Sequence, residues 1–361
     1  MKREIPGTLT LNSALKIFFR DALRIAIYNP RQAISFISTL SWLGKAARKR
    51  SRWKKQGILV PPIIIFSITK ECNLECKGCY AKAIPFKTTE ELSIHKIKDI
   101  IDEAEYLGVS FFVIAGGEPL LRQDFFNITK EFPKIIFLIF TNGLLIDHNF
   151  ISLLKRQRNV IPLISLEGNS EETDERRGDG IYEKLSSILN NLKSNGIFFG
   201  LSLTLTRSTF DILINRNFTE RMNESGCRFF LYLEYTPIAS GTEDWILTPS
   251  QREKVIDVLQ KYRKEYKALF IAVPWDEMNV GGCLSAGRGF IHINAVGDVE
   301  PCPFAPFSDT NVGDSSLKVA MQSTLLAKIR NIPKLAIENG EGCILWKERN
   351  LVKSLLANDS N

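Results

Sequence analysis

The sequence predicts an α/β fold in which parallel (β/α) units build an open or closed barrel, and three observations support it. Short β-rich runs alternate with helical runs from Ile63 to about Thr236. The helical runs at 93–107 and 181–195 end at Gly108 and Gly196, where left-handed caps are wanted. Six units of roughly 20 to 40 residues leave room for right-handed crossovers between parallel strands, and none of them reads as a hairpin.

Ahead of the barrel lies a basic helical segment, residues 1–60. Lys16, Arg20 and Arg24 recur at helical spacing beside an apolar face of Leu15, Phe18, Phe19, Ala22 and Leu23, and Asn29-Pro30 ends that helix. A second helix carries Ala33, Phe36, Ile37, Leu40, Leu43 and Ala47 and runs into a cationic cluster from Lys45 to Lys55. Gly57 and Pro61-Pro62 mark the boundary. The barrel then occupies 61–245, with strands expected at 63–69, 110–115, 135–141, 160–166, 198–206 and 229–236. After Pro237 the alternation breaks down. A helix at about 249–267 leads into a small α+β region, 246–361, with short strands around Phe290 to Asn294 and Asp298 to Pro301.

Length and composition agree with this division. The 361 residues suit two structural units at about 100 to 200 residues each. With 44% hydrophobic and 24% charged residues, wholesale disorder is excluded. The net charge of +7 is largely local to the cluster before Gly57, so no nucleic-acid partner is expected. No apolar run reaches the ~18 residues of a membrane span, and no cleavable leader is visible, which predicts a cytoplasmic protein. Seven cysteines are an odd set, and three fall within eight residues, a pattern of metal ligation in a reducing compartment.

Those three are Cys72, Cys76 and Cys79, in the loop directly after the first strand. Three thiolates on one tight loop leave one iron of a cubane without a protein ligand, open to a small chelator. A structural zinc site would draw on a fourth Cys or His close by, and the nearest, His95, lies inside a predicted helix.

The run from Cys72 to Tyr80 resembles the signature of the radical S-adenosylmethionine (SAM) superfamily, a cysteine triplet followed by an aromatic. The resemblance implies a partial (β/α)6 barrel of TIM type with a [4Fe-4S] cluster whose open iron binds SAM. It also implies reductive cleavage of SAM to a 5'-deoxyadenosyl radical that abstracts hydrogen from substrate, under anaerobic conditions, with a low-potential donor such as flavodoxin or ferredoxin. Gly116-Gly117-Glu118-Pro119 is similar to the family's motif for the SAM amino group, the glycines permitting close approach and Glu118 pairing with an ammonium. Thr141-Asn142-Gly143 and Ser165-Leu166-Glu167-Gly168 resemble positions around the SAM ribose and methionine, with Glu167 where Asp is common. Arg176-Arg177-Gly178 resembles an Arg-Gly that contacts the SAM carboxylate, and Arg177 is the candidate. Thr204 and Tyr80 are placed by the same resemblance near adenine.

A second set follows the barrel. Cys283, then thirteen residues, Gly297, four residues, Cys302, and a distant Cys343 resemble the opening of the SPASM and shorter twitch extensions, whose hairpin holds an auxiliary [4Fe-4S] cluster. With only three cysteines, the fourth ligand is left to substrate, water or a group such as Glu341. Cys227 reads as a buried apolar side chain. His292 and Trp346 lie near this set and are given no role.

The expected function is therefore SAM cleavage followed by hydrogen abstraction, by an oxidoreductase or radical-based modifying enzyme. A peptide or protein substrate is narrowly preferred. Two alternatives stand beside it: an isoprenoid, lipid or small metabolite met at a membrane surface through the N-terminal helices, and a non-catalytic iron-sulfur carrier, against which the Gly-Gly-Glu-Pro element argues.

Overall fold

In the computed structural model, which describes residues 10–26, 30–85, 90–337 and 342–357, seven parallel strands follow chain order. They are β1 (Ile63–Thr69), β2 (Phe111–Gly116), β3 (Ile136–Thr141), β4 (Val160–Leu166), β5 (Gly200–Leu205), β6 (Phe229–Glu234) and β7 (Leu269–Val273). The six expected strands are all present, with small shifts at their ends. β7 is an addition. Its five residues follow a helix with no second strand in sequence to set a rhythm, and so short an apolar run does not declare itself.

Two further strands, β8 (Phe290–Ile293) and β9 (Val299–Glu300), form the expected hairpin around Gly297, whose φ of +95° the turn requires. β8 also pairs in parallel with β1, Ile63 facing Phe290. One open sheet results, in the order β7-β6-β5-β4-β3-β2-β1-β8-β9, and it runs straight through the boundary drawn at 245.

Helices cover the outer face. They are α3 (Tyr80–Ala83) and α4 (Ile94–Leu107) after β1, α5 (Phe125–Ile128) after β2, α6 (His148–Arg156) after β3, α7 (Ser170–Arg177) and α8 (Ile181–Ser194) after β4, α9 (Phe210–Leu213) and α10 (Arg216–Glu224) after β5, α11 (Pro249–Glu265) after β6, and α12 (Trp275–Met278) after β7. Alternation along each strand sends Phe66, Phe112, Phe137 and Ile164 outward against α4 and α8 side chains such as Ile97, Ile101 and Leu185. Ser93 caps α4 at one end and Gly108, at φ +101°, at the other.

The inner face is filled from below. Phe111, Ile136, Ile161, Leu163, Phe229 and Leu269, at or near the first residues of their strands, pack against Phe19, Ala22, Phe36 and Leu43 of α1 (Leu11–Ile25) and α2 (Pro30–Lys55). Phe19 stacks on Phe111 at 5.2 Å, and Phe36 meets Phe198 edge-on at 5.3 Å. Each such ring is worth roughly 1.5–3 kcal/mol of burial. The apolar face of α1 is thus turned into the barrel. The cationic cluster also contributes inward: Arg50 is buried, donates to the Gly108 carbonyl and, at 2.7 Å, to Asn12, and burial pushes its guanidinium down to about 10. Among the described residues no helix is long and apolar enough to cross a membrane. Cys227 is buried as expected, and burial raises its thiol to about 12.

Candidate active site

Cys72, Cys76 and Cys79 occupy the loop from β1 to α3, each half-buried. Neighbouring strand ends pin this loop from several sides. The amides of Gly117 and Glu118 donate to the carbonyls of Thr69 and Glu71, both at 2.8 Å, and the Lys77 amide donates to Arg176 at 2.9 Å. Asn142 donates its Nδ2 to Asn73 at 2.7 Å, and the Tyr235 hydroxyl donates to the Gly78 carbonyl at 3.2 Å. A Cβ on Gly116 or Gly117 would overlap the backbone of Thr69 or Glu71, so both positions need glycine for the loop to lie this close.

Burial pushes the Cys72 and Cys76 thiols up, and nearby Cys79 adds to both. Arg177 works against this at Cys76. Three thiolates crowded on one loop need positive charge, which an iron–sulfur centre supplies. Three thiols on one short loop fit a cubane with one iron left over.

Two buried carboxylates flank the loop. Glu118, at the end of β2, accepts from the Leu120 amide (3.0 Å) and the Thr141 hydroxyl (2.7 Å) on Oε1 and from the Asn142 amide (2.7 Å) on Oε2. Its donors are neutral, and burial holds its carboxyl above the ordinary range. Pro119, just beyond, opens the 3-10 turn that Glu118 caps. Glu167, past the end of β4, is fully buried and meets two guanidiniums, Arg176 through Nη1 and Arg177 through Nη2, each at 2.5 Å. Burial alone would raise it, but the two cations hold it below the ordinary range. The longer Glu side chain reaches both guanidiniums, which accounts for its presence where Asp is common. Arg177 lies near Cys76, with its charge shared with Glu167.

Ser165 and Thr204 alternate with outward-facing Ile164, Leu166, Leu203 and Leu205, so both face the barrel interior. Tyr80 meets Phe304 edge-on at 5.4 Å, and burial raises its hydroxyl, with Cys79 and Cys302 adding to the effect. The ring therefore stands between the two cysteine sets.

The thiols of the second set lie close enough for their charges to be felt at Cys302. Burial pushes the Cys302 thiol well up, followed by the charges of Cys343 and Cys283, which arrive from other segments. Glu277 on α12, buried and near Cys302, escaped the sequence reading because α12 was not foreseen. Glu341 lies outside the described residues. His292, given no role from sequence, lies in a buried hydrogen-bonded chain with Ser67 and Glu300. Nothing local in sequence signals that chain, because its members sit on three strands.

Residues 66–209 match the family model described as the radical SAM superfamily. The chain carries a radical SAM domain over those residues. Such a domain implies a [4Fe-4S] cluster and SAM. The chain is 23% identical over 304 residues to the AdoMet-dependent heme synthase of Methanosarcina barkeri, covering 76% of this chain and 86% of that one. It is 28% identical to the subtilosin biosynthesis protein AlbA of Bacillus subtilis, over 73% of this chain and 60% of AlbA. It is likewise 28% identical to the mycofactocin maturase MftC of Mycolicibacterium smegmatis, over 70% and 66%. In fold it is similar to Streptococcus suis SuiB (TM-score 0.66, 19% identity, 86% of this chain and 77% of SuiB) and to anSMEcpe with bound AdoMet (TM-score 0.60, 16% identity, 83% and 100%).

Proposed function

We propose that the protein reductively cleaves SAM and uses the 5'-deoxyadenosyl radical to take a hydrogen atom from a peptide or protein, with Cys283, Cys302 and Cys343 holding a second iron–sulfur centre. The observation that carries the first part is Glu118: a buried carboxylate with neutral donors only, beside three thiols with room for one more ligand. When bound, the first cluster supplies the electron for cleavage of the carbon–sulfur bond, drawn from a flavodoxin or ferredoxin.

The chain's own residues bind and orient. Glu118 offers charge to the SAM ammonium, an ionic hydrogen bond in a site shielded from water. Thr141 and Asn142 hold that carboxylate in place, and the Glu167–Arg177 pair forms the wall beside Cys76, with guanidinium donors left for the SAM carboxylate. Ser165, Thr204 and Tyr80 offer hydroxyls and a ring face to the nucleoside.

A peptide is favoured over a lipid on two grounds. AlbA, a bacteriocin biosynthesis protein, and the maturase MftC are among the relatives, and the apolar face that a lipid surface would need on α1 is turned into the barrel. A small metabolite is the second reading, favoured by the heme synthase, of which this chain covers the larger share.

Anaerobic reconstitution with iron, sulfide, SAM and dithionite tests the chemistry. The expected product is 5'-deoxyadenosine, and an equal yield from Cys76→Ala would sink the reading. Mass spectrometry of peptides encoded beside the gene tests the substrate: a SAM-dependent mass change supports a peptide, and a change confined to the small-molecule fraction supports the second reading.

A further inference from the structure

The positive charge of the chain is concentrated at one end of the barrel. Residues 10–57 hold eleven Lys and Arg against a single acid, Asp21, a net +10 where the whole chain is +7, so the remainder is net −3. Most of that segment is α1 and α2, which pack beneath the first residues of the strands, at the end away from Cys72, Glu118 and Glu167. The charge therefore stands apart from the site.

Helical periodicity sorts the side chains of both helices. On α1, Phe19 and Ala22 point into the barrel, whereas Lys16, Arg20 and Arg24, four residues apart, are exposed with Ile17 among them. On α2, Phe36 and Leu43 point inward, whereas Ile34, Ile37, Ser41, Lys45, Arg48 and Arg52 recur three or four residues apart and are all exposed. One outward stripe thus runs along α2, apolar in its first turns and cationic in its last. Ile34 is 67% exposed and Ile37 54%. Phe19 meets Phe36 edge-on at 5.9 Å, which sets the two helices side by side with their outer stripes both turned from the barrel.

The rim of this face adds an aromatic pair. Tyr106, in the last turn of α4, is 63% exposed, with its ring 5.8 Å from Trp53 of α2 and Lys49 Nζ 5.9 Å from its centroid. The acids at this end are matched by cations: Asp21 lies 3.6 Å from Arg20 and 3.5 Å from Arg24, and Glu105 lies 3.4 Å from Lys134. A large excess of positive charge is left.

We propose that this face docks the protein on the anionic surface of a lipid bilayer. Such a surface attracts clustered Lys and Arg, and single isoleucines standing among them enter the headgroup layer, where Tyr and Trp rings also settle. A polyanion such as RNA would use the cations and leave the isoleucines in water. A second copy applied through the same face would bring like charges together. Because α1 gives its apolar side to the barrel, the contact is shallow and mainly electrostatic. It turns the strand ends that bear Cys72, Glu118 and Glu167 away from the bilayer, so it is a support for the protein and is independent of which substrate is turned over.

Flotation of the full iron-loaded chain with phosphatidylcholine vesicles, with and without phosphatidylglycerol, tests the proposal. The protein should float only with phosphatidylglycerol, and raising salt from about 0.1 M to about 0.5 M should release it. Lys45→Gln with Arg48→Gln should weaken the partition about 10- to 30-fold. Ile34→Gln with Ile37→Gln should weaken it about 5- to 10-fold. Lys184→Gln with Lys254→Gln, which remove the same charge from exposed positions near the other ends of α8 and α11, should leave it unchanged. All four positions on α2 and its controls are exposed, so folding is spared, and circular dichroism checks this. Equal flotation on both vesicles, none on either, or an equal loss in the control pair overturns the proposal. So does tighter binding to poly-glutamate or RNA than to the vesicles, or a dimer that the α2 substitutions dissociate.

Discussion

The two cysteine sets are assembled in opposite ways. Cys72, Cys76 and Cys79 share one short, half-exposed loop whose shape is imposed from outside by Gly117, Asn142, Arg176 and Tyr235. Cys283, Cys302 and Cys343 come from three segments, before β8, after β9 and at the head of the helix Ile344–Lys347. A site on one loop keeps its ligand spacing in the unfolded chain, and the surrounding fold only orients it. A site drawn from distant segments exists only once the fold has formed, and whatever binds there closes long loops and holds those segments together.

The strongest way to break this comparison is to remove one thiolate from each set. Cys76→Ala should abolish 5'-deoxyadenosine formation, read by chromatography. Cys302→Ala should keep SAM cleavage while iron falls from about eight to about four per chain. Of the two variants, Cys302→Ala should show the larger loss of Tm in the iron-loaded protein, because it unties three segments. An equal loss would contradict the contrast.

Next in size is the pair of carboxylates around the first site. Glu167→Gln leaves two partly buried guanidiniums without a counter-charge and should cost up to about 3 kcal/mol by denaturant unfolding. The sign with pH follows from its lowered carboxyl: Glu167 stabilises the fold above the ordinary carboxylate range, and that stabilisation is lost as pH falls through its depressed value. Glu118 has the opposite sign. Its raised carboxyl makes the ionised form a burden on the ligand-free fold, relieved as pH falls. Glu118→Gln should therefore leave ligand-free stability unchanged or higher while weakening SAM binding by about 10- to 100-fold, measured by calorimetry.

The smallest effect is expected where the two sites touch. Phe304→Ala removes the edge-on contact with Tyr80 and should cost about 1 kcal/mol beyond the lost area, with both centres still loaded.

Much of this was legible because it is local. The first triplet, the Gly-Gly-Glu-Pro turn and six of the strands are patterns within a few residues of one another; the strands are present, and the triplet and the turn lie at the ends of β1 and β2. What escaped is what the chain assembles over distance. β7 is five apolar residues with no rhythm of their own, and the pairing of β8 with β1 leaves no mark in either strand. The Ser67–His292–Glu300 chain joins positions separated by 225 residues. At Arg177 the motif located the side chain, whereas its ion pair with Glu167 depended on how α7 folds back over the end of β4.

The helical floor of the barrel has one more consequence. With α1 and α2 packed among the first residues of the strands, that end of the barrel is filled, and the strand ends bearing Cys72, Glu118 and Glu167 are left at the other. If the site takes SAM and a bulky substrate as proposed, both arrive from that side, and SAM should bind first with the larger partner last in and first out.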